Sequence, residues 1–153
     1  MTELANWVAR EVEPATFQLV EEICRRSFGF RLLTVLRRIP GETRDVLRVH
    51  SSNPTEYPCS TRKPMERTAW AKVVLAGGQG WWGEGEAAIR WAFPDADLML
   101  KLGLGSCLCA PVLADGRTIA VLSLNGEKGA YRPDDLAPLG AIAQLLKAEL
   151  STK

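Results

Sequence analysis

Apolar positions along this chain recur every three or four residues in some stretches and crowd into short dense runs in others, the respective marks of helix and strand. A first short helix is expected from Thr2 as its cap, with Leu4, Trp7 and Val8 on one face. Pro14 then suits the opening turn of a second helix, whose stripe is Phe17, Val20, Ile23 and Cys24 and whose end is marked by Gly29. Residues 31–39 form a dense apolar and β-branched run of strand length. Pro40-Gly41-Glu42 reads as a turn, and residues 45–51 set Leu47 and Val49 against Arg48 and His50, so the two runs predict a hairpin. Residues 52–63, rich in Ser, Asn, Pro and Thr, read as a loop. A helix is predicted over 65–76 with Trp70, Val73 and Val74 inward, stopped by Gly77-Gly78. Trp81 and Trp82 follow in a short extended piece, then helices near 84–93 and 96–102.

The sharpest local signal lies in residues 106–125, where two apolar runs flank Asp115-Gly116, a dipeptide suited to a type I′ hairpin turn. Counting outward from that turn pairs Cys109 with Leu122 and Cys107 with Leu124. One face then carries Leu108, Ala110, Val112, Ile119 and Val121. The other carries Cys107, Cys109, Pro111, Ala120, Leu122 and Leu124, smaller on average and able to leave room. Beyond Tyr131 and Pro133, Asp134 or Asp135 can cap a last helix whose Leu136, Leu139, Ala143, Leu146 and Leu150 make a heptad-like seam. Docking of that seam on the chain's own sheet is weighed above an intersubunit contact, and the two are compatible.

Length and composition narrow the class without naming a function. The 153 residues suit one domain able to bury a core, and 46% hydrophobic with 24% charged residues is the make-up of an ordinary globule. Nineteen basic and eighteen acidic residues leave a net charge of +1, which gives no general attraction for nucleic acid. Arg37, Arg38, Arg44 and Arg48 come nearest to a basic patch and read better as solvated strand edges than as an anion site. No apolar run is long enough to span a bilayer and none leads the chain, so a cytoplasmic protein with no membrane partner is expected. Cys24, Cys59, Cys107 and Cys109 lack the spacing of a zinc site and read as free thiols.

Helix, hairpin, long loop with helices, hairpin, helix is the order of an α+β domain with an antiparallel sheet. The run Gly103-Leu104-Gly105-Ser106-Cys107-Leu108-Cys109-Ala110-Pro111-Val112, then Asp115-Gly116-Arg117 and Ile119-Ala120-Val121-Leu122-Ser123-Leu124-Asn125, resembles the signature hairpin of GAF domains. Phe93-Pro94-Asp95 before it and Tyr131 after it fit the same pattern, and the likeness to stand-alone bacterial GAF proteins runs from about residue 17 to 150. The resemblance implies a six-stranded antiparallel sheet, N- and C-terminal helices on one face, and a ligand cavity under helices and loops on the other. It also implies a homodimer paired through terminal helices. Where related proteins often carry asparagine, this chain has Cys109.

The expected role is a non-catalytic module that senses a small molecule or a partner. Its candidate ligand-binding residues are Cys107, Cys109, Leu122 and Leu124 on the sheet, closed over by Trp70, Trp82 and Phe93, with Tyr57 at the mouth. Such an aromatic cluster suits a flat or apolar ligand, and serves equally well as a satellite core with none. The cofactor is unknown. The alternative is a cysteine-dependent redox enzyme related to free methionine sulfoxide reductases, resting on Cys59 in the long loop and its reach toward Cys107 or Cys109. Against it, a nucleophilic thiol usually needs a base. The one histidine, His50, is far along the chain from that pair.

Overall fold

The computed structural model describes residues 14–39, 45–65 and 68–151. The expected helix near Thr2 and the turn at Pro40-Gly41-Glu42 lie outside the described residues. The described chain runs α1 (Pro14–Ser27), β1 (Leu32–Arg38), β2 (Asp45–Ser51), β3 (Arg62–Pro64), α2 (Ala69–Ala71), β4 (Trp81–Glu84), α3 (Glu86–Ala92), α4 (Ala96–Lys101), β5 (Ser106–Ala114), β6 (Arg117–Gly126), α5 (Leu136–Ala143) and α6 (Lys147–Leu150). All six strands form one antiparallel sheet in the order β3-β2-β1-β6-β5-β4.

The sheet has helices on both faces, and two separate cores result. On one face α1 and α5–α6 lie against Leu33, Val35, Leu108, Ala110, Leu122 and Leu124. The C-terminal seam is consumed there: Leu139, Ala143, Leu146 and Leu150 are fully buried against this chain's own sheet. On the other face α2, α3 and α4 enclose Leu32, Leu36, Trp70, Phe93, Cys107, Cys109 and Val121. No helix among the described residues is long and apolar enough to cross a membrane.

Two of the sequence expectations shift in instructive ways. Thr68 caps α2 by accepting from the Ala71 amide at 3.1 Å, but the helix becomes a π-helical turn at Lys72–Ala76 instead of running as one α-helix from residue 65. The loop predicted over 52–63 ends in β3, which pairs with β2 from Asp45 opposite Pro64 to Leu47 opposite Arg62. A three-residue edge strand containing Arg, Lys and Pro carries none of the apolar pattern by which strands are recognised.

Two β-bulges decide which side chains reach which core. At the β5–β6 turn Asp115 and Gly116 have φ of +51° and +74°, as a type I′ turn requires, and Ala114 pairs with Arg117. Past Leu113 opposite Thr118 the register slips by one, so Val112 faces Ala120, Cys109 faces Ser123 and Cys107 faces Asn125. Ile119 is the extra residue, and it sends every later side chain of β6 to the opposite face. The expected pairing of Cys109 with Leu122 and of Cys107 with Leu124 is therefore corrected. In the β1–β2 pair, Val35 faces His50 but Leu36 faces Arg48, leaving Val49 as the extra residue. Arg48 thereby turns to the α2–α4 face, while His50 turns to α1, where it stacks on Phe17 at 4.6 Å and meets Glu21 at 2.6 Å.

Candidate functional site

The α2–α4 face of the sheet holds an internal cavity of about 20 Å³, lined by Leu32, Thr34, Leu36, Arg48, Tyr57, Lys63, Phe93, Met99, Ser123 and Asn125. That is space for roughly one water. Arg48, Tyr57 and Lys63 are also walls of an outer vestibule of about 270 Å³, completed by Pro94 and Asp95 from the α3–α4 connection, by Leu98 of α4 and by the loop before β3. A third hollow of similar size, lined by Arg31, Leu32, Asn53, Leu102 and Leu104, meets the other side of Tyr57. Tyr57 therefore borders all three spaces.

The sequence folds to this arrangement through local devices. Tyr57 is fixed by its amide, which donates to the Asn53 carbonyl at 2.8 Å. Arg48 is anchored by its place on β2 and by donating to the Pro58 carbonyl at 3.1 Å, with its guanidinium 4.9 Å from the Tyr57 ring centre. Lys63, on β3, reaches inward past Phe93, at 5.3 Å, to Asp95 at 3.4 Å. Asp95 stands just before α4.

Burial dominates the electrostatics here. It lowers the Arg48 and Lys63 pKa values from their ordinary range, an effect opposed for both by the Asp95 carboxylate, and it pushes the Tyr57 phenol up. Three buried polar atoms on the cavity lining have no hydrogen-bond partner, Arg48 Nε, Tyr57 Oη and Asn125 Oδ1, and on the vestibule Asp95 Oδ1 has none beyond its ion pair with Lys63. Buried polar groups are nearly always paired in folded proteins, so three around one cavity are atoms in want of a ligand or water.

Behind this lining the Cys107 and Cys109 thiols lie 3.7 Å apart, and Cys109 Sγ is 3.4 Å from Ser123 Oγ. Burial pushes the Cys107 thiol well up. For Cys109 the same burial is outweighed by hydrogen bonding from Cys107 and Ser123 and by the charge of Lys63, so it is the more acidic of the pair. The chain's one histidine, His50, does not stand beside either, being committed to α1 on the other face. Cys59 is exposed, and desolvation raises its pKa. Among the described residues no three His, Cys, Asp or Glu converge to hold a metal ion.

Of the residues expected in the site, Tyr57, Phe93, Cys107, Cys109 and Trp70 come together on this face. Trp70 is fully buried, with its ring 5.8 Å from Phe93. Leu122 and Leu124 do not join them, because the Ile119 bulge turns both toward α1 and α5. Trp82 is likewise on the terminal-helix side, where its indole donates to the Tyr131 carbonyl at 3.1 Å. Its neighbour Trp81, paired with Cys109, takes the place expected of it, stacking on Trp91 at 5.7 Å and meeting Phe93 edge-on. Gly83 makes that possible, since any Cβ there would sit inside the Trp81 ring.

Sequence reasoning missed Arg48, Lys63, Asp95, Ser123 and Asn125. Arg48 was read as a solvated strand edge, yet it is only 4% exposed. The polar Ser123 and Asn125 alternating with Leu122 and Leu124 were the available signal for the true register. Lys63 had none.

A family profile described as GAF domain matches residues 12–150. No curated protein matches the sequence. Among solved structures the fold is similar to the GAF domain of a two-component sensor histidine kinase from Bacillus halodurans, at TM-score 0.71 and 16% identity over 89% of this chain and 91% of that one. The GAF domain of a phosphoenolpyruvate-protein phosphotransferase from Coxiella burnetii also gives 0.71, at 11% identity over 97% and 91%. A free methionine-R-sulfoxide reductase from Neisseria meningitidis, solved with its substrate, gives 0.65 at 18% identity over 98% and 92%. At these identities the likeness speaks to fold and not to chemistry.

Proposed function

The chain belongs to the GAF domain family, a family of sensing and signalling modules, and from that premise we propose that it is a non-catalytic domain that binds a small organic molecule between its sheet and α2–α4. The observation that carries this reading is the set of unpartnered buried atoms on Arg48, Tyr57 and Asn125 around one cavity, which shares the walls Arg48, Tyr57 and Lys63 with an open vestibule. A vestibule of about 270 Å³ is near the lower end of the range of small-molecule sites, which suits a metabolite-sized ligand. Phe93 and Tyr57 provide flat apolar contact, in keeping with an aromatic or apolar body. Native mass spectrometry of the protein purified from its own cytosol, followed by melts against the released compound, tests the reading. A retained small molecule that raises the melting temperature supports it, and Tyr57→Ala should abolish that rise.

The reductase alternative has a specific motive in the Neisseria structure and in the Cys107–Cys109 pair. The pair argues against turnover, because both thiols are fully buried, the one histidine is on the other face and β-strand spacing of alternate residues is poor for a disulfide. Reduction of free methionine sulfoxide that is lost with Cys59→Ser or with Cys109→Ser would revive it.

A further inference from the structure

The cavity has an imbalance of charge. Arg48 is nearly fully buried and the Lys63 side chain retains 13% exposure, so both cations are largely stripped of water. Among the described residues one carboxylate, Asp95, stands near them. The remaining charged groups on the vestibule are Arg62, ion-paired to Asp45 at 2.8 Å, and the exposed Glu56. A desolvated cation in excess is unfavourable unless an anion joins it. The Tyr57 ring and the Pro58 carbonyl moderate that for Arg48, but Arg48 Nε and Tyr57 Oη are left as donors without acceptors on the same wall.

We propose that the ligand carries a carboxylate, received by Arg48 Nε, Lys63 Nζ and Tyr57 Oη, with its apolar body in the vestibule against Pro94 and Leu98. This rests on the reading of the cavity as a ligand site and adds the chemical class. Two cations against Asp95 leave one unit of positive charge, which a monoanion matches. A phosphate monoester, carrying roughly −1.5 to −2 at neutral pH, would overshoot it and meet Asp95 with added repulsion. Charge-assisted hydrogen bonds in a desolvated site are the strong ones, so the carboxylate should dominate affinity. Asp95 then competes with the ligand for Lys63.

Benzoate, benzamide and phenyl phosphate serve as probes of equal body and different head, titrated into the intact chain by calorimetry and by amide NMR shifts. Benzoate is expected to bind at least about tenfold more tightly than benzamide and more tightly than phenyl phosphate, and to shift amides of β2, β3 and the segment before α4. Lys63→Met should weaken benzoate about tenfold. Asp95→Asn should strengthen it by removing the internal competitor, a change that a structural role for Asp95 would not produce. Melting curves first establish that each variant is folded, and Asp95→Asn carries the test if Lys63→Met is not. Benzamide equal to benzoate, tighter phenyl phosphate, or an Asp95→Asn variant that binds benzoate no better overturns the carboxylate. Benzamide binding in the vestibule would leave the site itself standing, whereas no probe shifting any of these amides sinks both.

Discussion

Leu122→Ala discriminates between the two possible faces of β6. Leu122 is fully buried between β1 and β5, opposite Val35 and Ala110, and shares its core with Phe17, Leu139 and Leu146. Removing a fully buried leucine side chain costs about 2.7–5 kcal/mol, from lost transfer energy and the hole left behind. Taking about 3 kcal/mol, and roughly 2–4 °C per kcal/mol for a domain of this size, the melting temperature should fall by about 6–12 °C. That is a large share of the roughly 5–15 kcal/mol that holds a typical domain together. Ser123→Ala, one residue on and facing the cavity, loses only the 3.4 Å contact with Cys109 Sγ and should cost about 1 kcal/mol or less. Urea unfolding with matched m-values measures both, and ligand titration completes the contrast: Leu122→Ala should leave affinity per folded molecule unchanged, while Ser123→Ala alters the cavity wall. A Leu122→Ala protein that melts within about 2 °C of the parent, or that keeps its stability and loses ligand, would falsify the register and return Leu122 to the cavity.

Three further outcomes are expected. Burial, with a contribution from Glu21, pushes the Cys24 thiol up to about 11, so the folded protein keeps a proton that the unfolded chain loses above about 9. Stability from this group is therefore complete below pH 9 and lost as pH rises toward 11, by roughly 2–3 kcal/mol at about 1.36 per unit, and Cys24→Ala should flatten that alkaline limb in pH-dependent melts. Iodoacetamide on the native protein should alkylate exposed Cys59 while sparing buried Cys24, Cys107 and Cys109, as read by intact mass; rapid loss of all four thiols without unfolding would contradict the burial. For assembly, the seam on α5–α6 is spent within the chain, so we propose that a homodimer through terminal helices uses the exposed Leu19 and Leu145; light scattering should report a dimer that Leu19→Glu with Leu145→Glu converts to monomer.

The elements were legible because their signals are local. The stripe Phe17, Val20, Cys24 and the glycine at 29, which has φ of +74°, give α1 its buried face and its end. The Asp115-Gly116 turn gives the β5–β6 hairpin, and the GAF-like motif around it gives the six-stranded antiparallel sheet, though not its strand order, which no periodicity could supply. The site was legible only where it is apolar or aromatic. Tyr57, Trp70, Phe93 and the two cysteines converge because large or soft side chains in such a pattern are buried on some face. Arg48 and Lys63 went unseen because a charged residue on a strand or in a polar loop is usually solvated, and only the tertiary placement of Asp95 and Tyr57 lets these two be buried.

Both errors of facing share one physical origin. A bulge adds a residue without any required side-chain signature beyond a tolerance for local backbone distortion, and it reverses the faces of everything beyond it. At Val49 the reversal separates Arg48 from His50, which a regular strand would place on one face, so that the cation enters the cavity while the imidazole binds Glu21 across the sheet. At Ile119 it gives the cavity Ser123 and Asn125 in place of Leu122 and Leu124. Had both strands been regular, the same sequence would offer an aliphatic floor, and the cavity would be fit for an apolar ligand alone. With the two bulges, the floor gains a hydroxyl and an amide, and the wall gains a guanidinium. The polarity of this site is thus set by where two single residues are inserted into the sheet, and a relative lacking either insertion should differ in ligand class even with the same aromatic side chains above the cavity.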